Sequence, residues 1–370
     1  MSNFDHFTGT RPVTGQHAFD LEALTAYLNR HMPASEAAIE KLTVEMFNGG
    51  QSNPTYKLIT PGKCYVMRAK PGPVAKLLPS AHAVEREFRV MKALFGTDVP
   101  VAKMHCMCED ESIIGRAFYV MEFVEGRVLW DQSLPGMTAG QRGEIYSEMN
   151  RVISALHKVR YTDLGLADYG RPGNYFERQI GRWSRQYSAS ITRPIAEMDQ
   201  LMRWLPANMP ASARDPGMVT IVHGDYRLDN LVFHATEPQV LAVLDWELST
   251  LGHPLADFSY HCMAWHIPPG SFRGIGGLDL ELLGIPLESG YIKLYCERTG
   301  ITTPEALQAD WDFYLAYNLF RLAAILQGIA KRVEAGTASS PQAVASAAGA
   351  PKLAKMAWDF ALKHRPRKSD

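Results

Sequence analysis

The sequence predicts an α+β protein of two lobes, a small β-rich N-terminal lobe over residues 1–124 and a larger, mostly helical C-terminal lobe over residues 125–370. Three observations predict it. Short apolar runs punctuated by Gly, Pro and Asn crowd residues 43–124, the pattern of strands and tight turns. Helical periodicity dominates further on, as in Ile145, Met149, Val152, Ile153 and Leu156. A short hairpin interrupts that helical region, residues 231–233 and 240–244 joined by the polar turn 234–239, with Asp225 and Asn230 before it and Asp245 at its end. A chain of 370 residues suits two domains or one large two-lobed unit.

The elements follow in order. Residues 1–18 show no periodicity and read as a loose arm, while residues 19–31 place Leu21, Leu24 and Leu28 on one face of a short helix. Residues 43–47 and 55–60 read as strands around Asn48-Gly49-Gly50-Gln51-Ser52-Asn53, and Pro61-Gly62 turns the chain into a return strand over 64–68. Val84, Phe88, Met91 and Phe95 then recur at helical spacing, with Glu87 inside the stripe and Glu85, Arg89 and Lys92 on the opposite face. A carboxylate on a core-facing stripe requires a partner, because an unpaired buried charge is costly. Arg68 and Lys70 share one face of an extended strand, so alternation does not choose between them; the core-side Glu87 favours Arg68. Residues 117–124 form a strand leading through Glu125-Gly126 into the helical lobe. The most apolar stretch, 313–330, is interrupted by Asn318, Arg321 and Gln327 and reads as a buried helix rather than a membrane span. The Ala/Ser-rich segment 335–350 reads as a loop or a weak helix start.

Composition narrows the partners. The apolar fraction of 46% and charged fraction of 21% are those of a globular protein. A net charge of −1 points to neither nucleic acid nor an anionic membrane. The basic residues Lys363, His364, Arg365, Arg367 and Lys368 read as a solvated end. Five cysteines make no disulfide framework, and His105, Cys106 and Cys108 lack a second cluster at metal-ligand spacing. Buried or half-buried thiols in a reducing compartment are expected. The first twenty residues lack a positively charged start and an apolar run, so a soluble cytoplasmic protein is expected.

The chemistry lies in His223-Gly224-Asp225-Tyr226-Arg227-Leu228-Asp229-Asn230 and the later Val243-Leu244-Asp245. A single loop Asp is usually a cap; the joint spacing is what points to chemistry. A kinase-type site needs one carboxylate to take the proton of a substrate hydroxyl, with an amide and a second carboxylate to hold Mg²⁺ on nucleotide phosphates. Asp225 suits the first role, Asn230 and Asp245 the second. The Gly49-Gly50 loop is no Walker A motif, since no Gly-Lys-Ser/Thr follows, and no GxGxxG opens a strand–helix unit.

His223-Gly224-Asp225, then four residues, Asn230, and a hairpin ending in Asp245 resembles the catalytic motif of the aminoglycoside phosphotransferase and choline kinase family, a branch of the protein-kinase-like fold. The run Ala242-Val243-Leu244-Asp245-Trp246-Glu247-Leu248-Ser249-Thr250, with Pro254-Leu255-Ala256-Asp257, is similar to one subgroup. That subgroup holds kinase domains fused to acyl-CoA dehydrogenases and many stand-alone bacterial relatives. The likeness runs from about residue 40 to the C-terminal helices.

The resemblance implies ATP and Mg²⁺ as cofactors and a bilobal fold. It implies that Gly49, Gly50, Gln51, Ser52 and Asn53 cover the phosphates. Arg68, paired with Glu87, would be the phosphate-binding cation, where many kinases have Lys. Glu122, Phe123 and Val124 would form the hinge beside adenine. Asp257 would orient the catalytic loop, His223 would brace it, and the segment 261–290 would help build the acceptor site. The partners would be a nucleotide and a small-molecule hydroxyl acceptor, a hydroxyacyl-CoA or hydroxy acid being worth testing. An aminoglycoside acceptor is the alternative, weakened because Glu281, Glu288 and Glu297 are scattered rather than clustered. A non-catalytic nucleotide-binding module would require loss of Asp225, Asn230 or Asp245, and all three are present. A protein kinase is disfavoured by the short segment between Asp245 and Asp257 and the lack of a following Ala-Pro-Glu.

Overall fold

The computed structural model describes residues 9–48, 53–71, 83–270, 274–338 and 341–364; Gly49, Gly50, Gln51 and Ser52 lie outside the described residues. The chain divides into two compact units. One comprises Met1–Trp130, Thr162–Tyr169 and Asp229–Ser249; the other comprises Asp131–Tyr161, Gly170–Leu228 and Thr250–Asp370.

The first unit is built on an antiparallel sheet. Its strands are β1 (Thr10–Pro12), β2 (Thr43–Phe47), β3 (Thr55–Ile59), β4 (Cys64–Ala69), β5 (Met104–Cys108) and β6 (Phe118–Glu122), in the order β1-β2-β3-β4-β6-β5. The arm read as loose thus supplies an edge strand. Thr10, Arg11 and Pro12 pair with Phe47, Met46 and Glu45, and Pro12 is tolerated there because an edge needs no further N–H. Strand β5 has no β-branched or aromatic residue to mark it in sequence, yet it buries Cys106 and Cys108 as ordinary core thiols. All five cysteines are free.

Two helices back this sheet. Helix α1 (Leu21–His31) starts at Asp20, whose carboxylate accepts from the backbone N–H of Glu22 and Ala23. Its Leu24 and Leu28 pack into the cluster of Tyr56, Leu58, Met67, Phe118 and Val120. Helix α2 (Val84–Leu94) buries Val84, Glu87, Val90, Met91 and Leu94. The stripe therefore differs from the expected one: the helix stops at Leu94, so Phe95 becomes an exposed C-cap residue and Phe88 is only half-buried. Glu87 stays on the core side.

A second, three-stranded antiparallel sheet joins Val240–Val243, Leu231–Phe233 and Arg127–Val128. Gly126 makes that contact possible, since a Cβ there would stand 2.3 Å from the Phe233 carbonyl oxygen.

The second unit is helical. Its longer helices are Ala139–Lys158, Tyr175–Ala189, Ala196–Ala207, Pro254–Cys262, Glu288–Thr299, Pro304–Glu334 and Ala350–Lys363, with a two-stranded ladder of Thr220–Val222 and Thr250–Gly252. Pro304–Glu334 is long and apolar enough to cross a membrane, but 83% of its apolar window is buried within the protein. Its polar interruptions are used inside. Asn318 Nδ2 donates to the Ala256 carbonyl at 3.0 Å, and Gln327 Nε2 to the Ser190 carbonyl at 2.9 Å. A bilayer-facing helix would not spend amides this way. The segment expected as a loop or weak helix start contains the helix Pro341–Ala347.

Two buried histidines set an acid limit on this unit. His253 accepts from Leu255 N–H at Nδ1, and its Nε2 lies 2.9 Å from the Ser212 carbonyl oxygen; His261 Nε2 lies 2.8 Å from the Tyr291 hydroxyl. Burial drives both imidazoles down to about 4, against about 6.5 in an unfolded chain. The folded protein keeps them neutral where the unfolded chain would take up protons. This contribution is complete above about pH 6.5 and is lost as pH falls toward about 4. His253→Asn keeps a capping acceptor and removes one titrating group. Its melting temperature should decline less steeply than that of the parent between those limits; an equal slope would contradict the assignment.

Candidate active site

In the β-rich unit the site is organised by one cation. Arg68 lies on β4, opposite Thr55 of β3 and Tyr119 of β6. Its Nε is 3.0 Å from Glu87 Oε2 on α2, and its Nη2 is 2.7 Å from Asp245 Oδ1 and 3.3 Å from Glu247 Oε2. Glu87, 1% exposed, also accepts from Asn53 Nδ2 at 2.9 Å and from the Tyr119 hydroxyl at 3.1 Å. Burial opposes the charge on Arg68, but Glu87 and Asp245 outweigh it and raise the guanidinium above its usual range. Burial likewise pushes the Glu87 carboxyl up, and Arg68 pulls it back. Lys70, just past β4, pairs with Glu85 instead. The structure thus separates the two cations that strand alternation left equivalent.

The hairpin explains how Asn230 and Asp245 come together. Leu231 pairs with Val243, and Leu244 N–H donates to the Asn230 carbonyl at 2.8 Å. Asp245 follows at once with φ of 63°, a left-handed conformation that is uncommon for a non-glycine residue and frequent at functional positions. A cavity of about 480 Å³ is lined by Arg68, Asn230 and Asp245 at its polar part. Val66, Met121, Val232 and Leu244, with Phe123 and Val124, supply the apolar part, and Glu122 also lines the cavity. Asn230 and Asp245 present an amide and a carboxylate, the hard oxygen donors a small divalent cation takes. Among the described residues no group of three or more His, Cys, Asp or Glu could hold a metal. A cation there would complete its shell with phosphates and water, as is usual for Mg²⁺.

In the helical unit a second set of contacts fixes the loop after Thr220–Val222. Gly224 has φ of 82°, which favours glycine. Asp257 receives His223 N–H at 2.7 Å and Gly224 N–H at 2.8 Å, one on each carboxylate oxygen. His157 Nε2 stands 3.3 Å from Asp257 Oδ2, and its Nδ1 2.7 Å from the Tyr295 hydroxyl. Burial would push the Asp257 carboxyl up; the histidines and the backbone N–H outweigh it and hold it below its usual range. Asp225 N–H donates to His223 Nδ1 at 3.2 Å, so this fully buried imidazole receives a bond from the loop. Asp225 Oδ1 accepts from the Tyr260 hydroxyl at 2.5 Å and lies 3.3 Å from Arg227 Nε. Arg321 Nη2 donates to the Gly224 carbonyl at 2.8 Å.

Several of these residues were not anticipated from sequence. Glu247, Tyr119, Tyr260 and Arg321 all contact an anticipated one. Two had a readable signal: Glu247 stands two residues past Asp245, and Tyr260 one helical turn past Asp257. In the segment 261–290, Trp265 is a buried residue whose Nε1 donates to the Pro286 carbonyl at 2.9 Å, a packing role.

Comparison with known proteins agrees with the motif. The model of the phosphotransferase enzyme family (APH) matches residues 43–284. Acyl-CoA dehydrogenase family member 10 of Mus musculus is 44% identical over 96% of this chain and 32% of its own length. Family member 11 of the same organism is 42% identical over 91% of this chain and 42% of its own length. The chain thus spans about a third to two fifths of the curated relatives it matches. A crystal structure from Ralstonia eutropha, provisionally named an aminoglycoside phosphotransferase, is 60% identical, with a TM-score of 0.85 over 94% of this chain and all of that one. A thermostable mutant of aminoglycoside phosphotransferase APH(4)-Ia, in ternary complex with AMP-PNP and hygromycin B, shares the fold. It is 13% identical, with a TM-score of 0.57 over 91% of this chain and 98% of that one. The α+β fold is therefore kinase-like. The chain belongs to the phosphotransferase enzyme family.

Proposed function

We propose that this enzyme transfers the γ-phosphoryl group of ATP to the hydroxyl of a small molecule, with a hydroxyacyl-CoA or a hydroxy acid as the acceptor class. The observation that carries the ATP reading is the 480 Å³ cavity in which Arg68, Asn230 and Asp245 share one wall region with the Glu122–Val124 segment. Adenine fits the apolar part against Val66 and Met121, and Arg68 meets the phosphates. The family resemblance implies that Gly49, Gly50, Gln51, Ser52 and Asn53 cover them, the first four lying outside the described residues. Asn230 and Asp245 would hold Mg²⁺, which when bound neutralises charge developing on the phosphates. Glu87 keeps the Arg68 fork in register. Asp225 orients the acceptor and takes its hydroxyl proton as the acceptor oxygen bonds to the γ-phosphorus; the bond from that phosphorus to the bridging oxygen breaks and ADP leaves. The nucleotide lobe in this reading is residues 1–124, the catalytic and acceptor lobe residues 125–370, and the setting cytoplasmic.

Two observations support the acceptor class. The similar mouse proteins are named as acyl-CoA dehydrogenases. A partly exposed cation, Arg227, stands 3.3 Å from Asp225. An anionic acceptor suits it; a polycation would meet like charge. An aminoglycoside acceptor is the second reading, favoured by the name of the 60% identical Ralstonia structure.

Thermal melting tests the nucleotide half of the proposal. A ligand at one hundred times its Kd stabilises a folded protein by about 2.7 kcal/mol. Mg²⁺–ATP should raise the melting temperature, chelator should remove much of the rise, and Asp245→Ala should abolish the metal-dependent portion. No shift at millimolar Mg²⁺–ATP would refute the proposal.

A further inference from the structure

One helix, Pro254–Cys262, reaches the catalytic loop at three points. Asp257 and Tyr260 are three residues apart, hence on one helical face. Asp257 holds the backbone N–H groups of His223 and Gly224, and the Tyr260 hydroxyl donates to Asp225 Oδ1 at 2.5 Å. That distance is characteristic of a charge-assisted O–H···O⁻ bond. Tyr260 is itself held. The Arg321 guanidinium lies 5.1 Å from the centre of its ring while donating to the Gly224 carbonyl. Arg321 also lies 5.7 Å from the Trp183 ring. One buried cation therefore ties the loop backbone to the tyrosine that grips the loop's carboxylate.

We infer that Tyr260 is a positioning residue for phosphoryl transfer, its hydroxyl holding the Asp225 carboxylate in one orientation for the acceptor hydroxyl. The inference rests on the reading of Asp225 as the base. A carboxylate turns about two single bonds, and general-base catalysis depends on hydrogen-bond geometry at the moment of transfer. Arg227, which also meets Oδ1, belongs to the same loop as Asp225 and moves with it. Tyr260 anchors the carboxylate to a separate, buried helix. Burial, with the Asp225 charge adding to it, holds the phenol far above its usual range, so it remains a donor.

Tyr260→Phe removes one oxygen and keeps the ring on which Arg321 stacks. Steady-state ADP release is measured with Mg²⁺–ATP and 3-hydroxybutyryl-CoA, and with water as the acceptor in slow hydrolysis if that ester is not turned over. The expected result is a fall in kcat of roughly 10- to 100-fold, the worth of one charge-assisted hydrogen bond. The nucleotide KM should stay unchanged, and the fall in melting temperature should be no more than the few degrees that loss of one buried hydrogen bond brings. Tyr314→Phe is the control: the hydroxyl of this buried tyrosine donates to Ser212 Oγ at 2.8 Å, and its loss should leave kcat unaltered. In an Asp225→Asn background Tyr260→Phe should cost nothing further, since the group it positions is gone. A kcat within about twofold of the parent overturns the inference. So does a loss that adds fully to that of Asp225→Asn. If Asp225→Asn itself keeps full turnover, the base assignment fails, and the inference with it; a collapse in Asp225→Asn beside an unaffected Tyr260→Phe removes the inference alone.

Discussion

Asp225→Asn should lower phosphoryl transfer by about 10²- to 10⁴-fold, the usual worth of a general base, while the melting shift with Mg²⁺–ATP is retained. The substitution is close to isosteric. Its amide oxygen can still accept the Tyr260 hydroxyl, and the bonds from His223 and Gly224 N–H to Asp257 do not involve the side chain. What it loses is the charge that faces Arg227 and, with it, the capacity to take a proton. In the proposed reading nucleotide binding draws on Arg68, Asn230 and Asp245, which line one cavity, and none of them is changed. Coupled loss of turnover and nucleotide binding would mean that Asp225 acts mainly through structure.

Arg68→Met should produce the largest effect on stability together with loss of the nucleotide response. Removing the guanidinium leaves Glu87 inside the fold, beside Asn53 and Tyr119, without the cation that offsets its charge. Breaking a buried pair from one side costs about 3–5 kcal/mol, a fall of roughly 10 °C in melting temperature for a unit of this size. Adding Glu87→Gln should restore much of the stability, because a neutral amide can use the same donors. It should not restore the Mg²⁺–ATP shift, because the guanidinium proposed to meet the phosphates is still missing. Equal recovery of both would show that Arg68 serves only the fold. Arg68→Lys should fall between: it keeps the charge but not the fork that spans Glu87, Asp245 and Glu247.

What was legible in the sequence was largely what local pattern encodes. The strands at 43–47, 55–59 and 64–69 and the hairpin ending at Asp245 follow from short apolar runs between turn residues. Glu87 was readable as a core-side carboxylate because helical phase and charge conflict there. What sequence did not show was set by tertiary contacts. The pairing of Thr10–Pro12 with β2 is long-range and only three residues long. Strand β5, Met-His-Cys-Met-Cys, is soft and polarizable rather than β-branched. Helix α2 ends one residue before the periodicity does, which exposes Phe95.

The site shows the same division. The motif named Asp225, Asn230 and Asp245 because their spacing is local. The residues that hold them, Tyr260 at 35 positions away and Arg68 at 177, are neighbours only after folding. The choice between Arg68 and Lys70 turned on which glutamate of α2 each cation meets, Glu87 on the core side or Glu85 on the outer side. The loop Gly49, Gly50, Gln51 and Ser52 lies outside the described residues, and its phosphate-covering role rests on the family resemblance.

The most direct measurement is mass spectrometry of acceptors incubated with enzyme, ATP and Mg²⁺. The panel is hydroxyacyl-CoA esters, free hydroxy acids, kanamycin and ethanolamine, each run with the parent and with Asp225→Asn. The account predicts that a hydroxyacyl-CoA or a hydroxy acid gains one phosphoryl group on its hydroxyl with matching ADP release, and that Asp225→Asn and chelator each suppress it. Phosphorylation confined to kanamycin or ethanolamine, or product formed equally by Asp225→Asn, would contradict it.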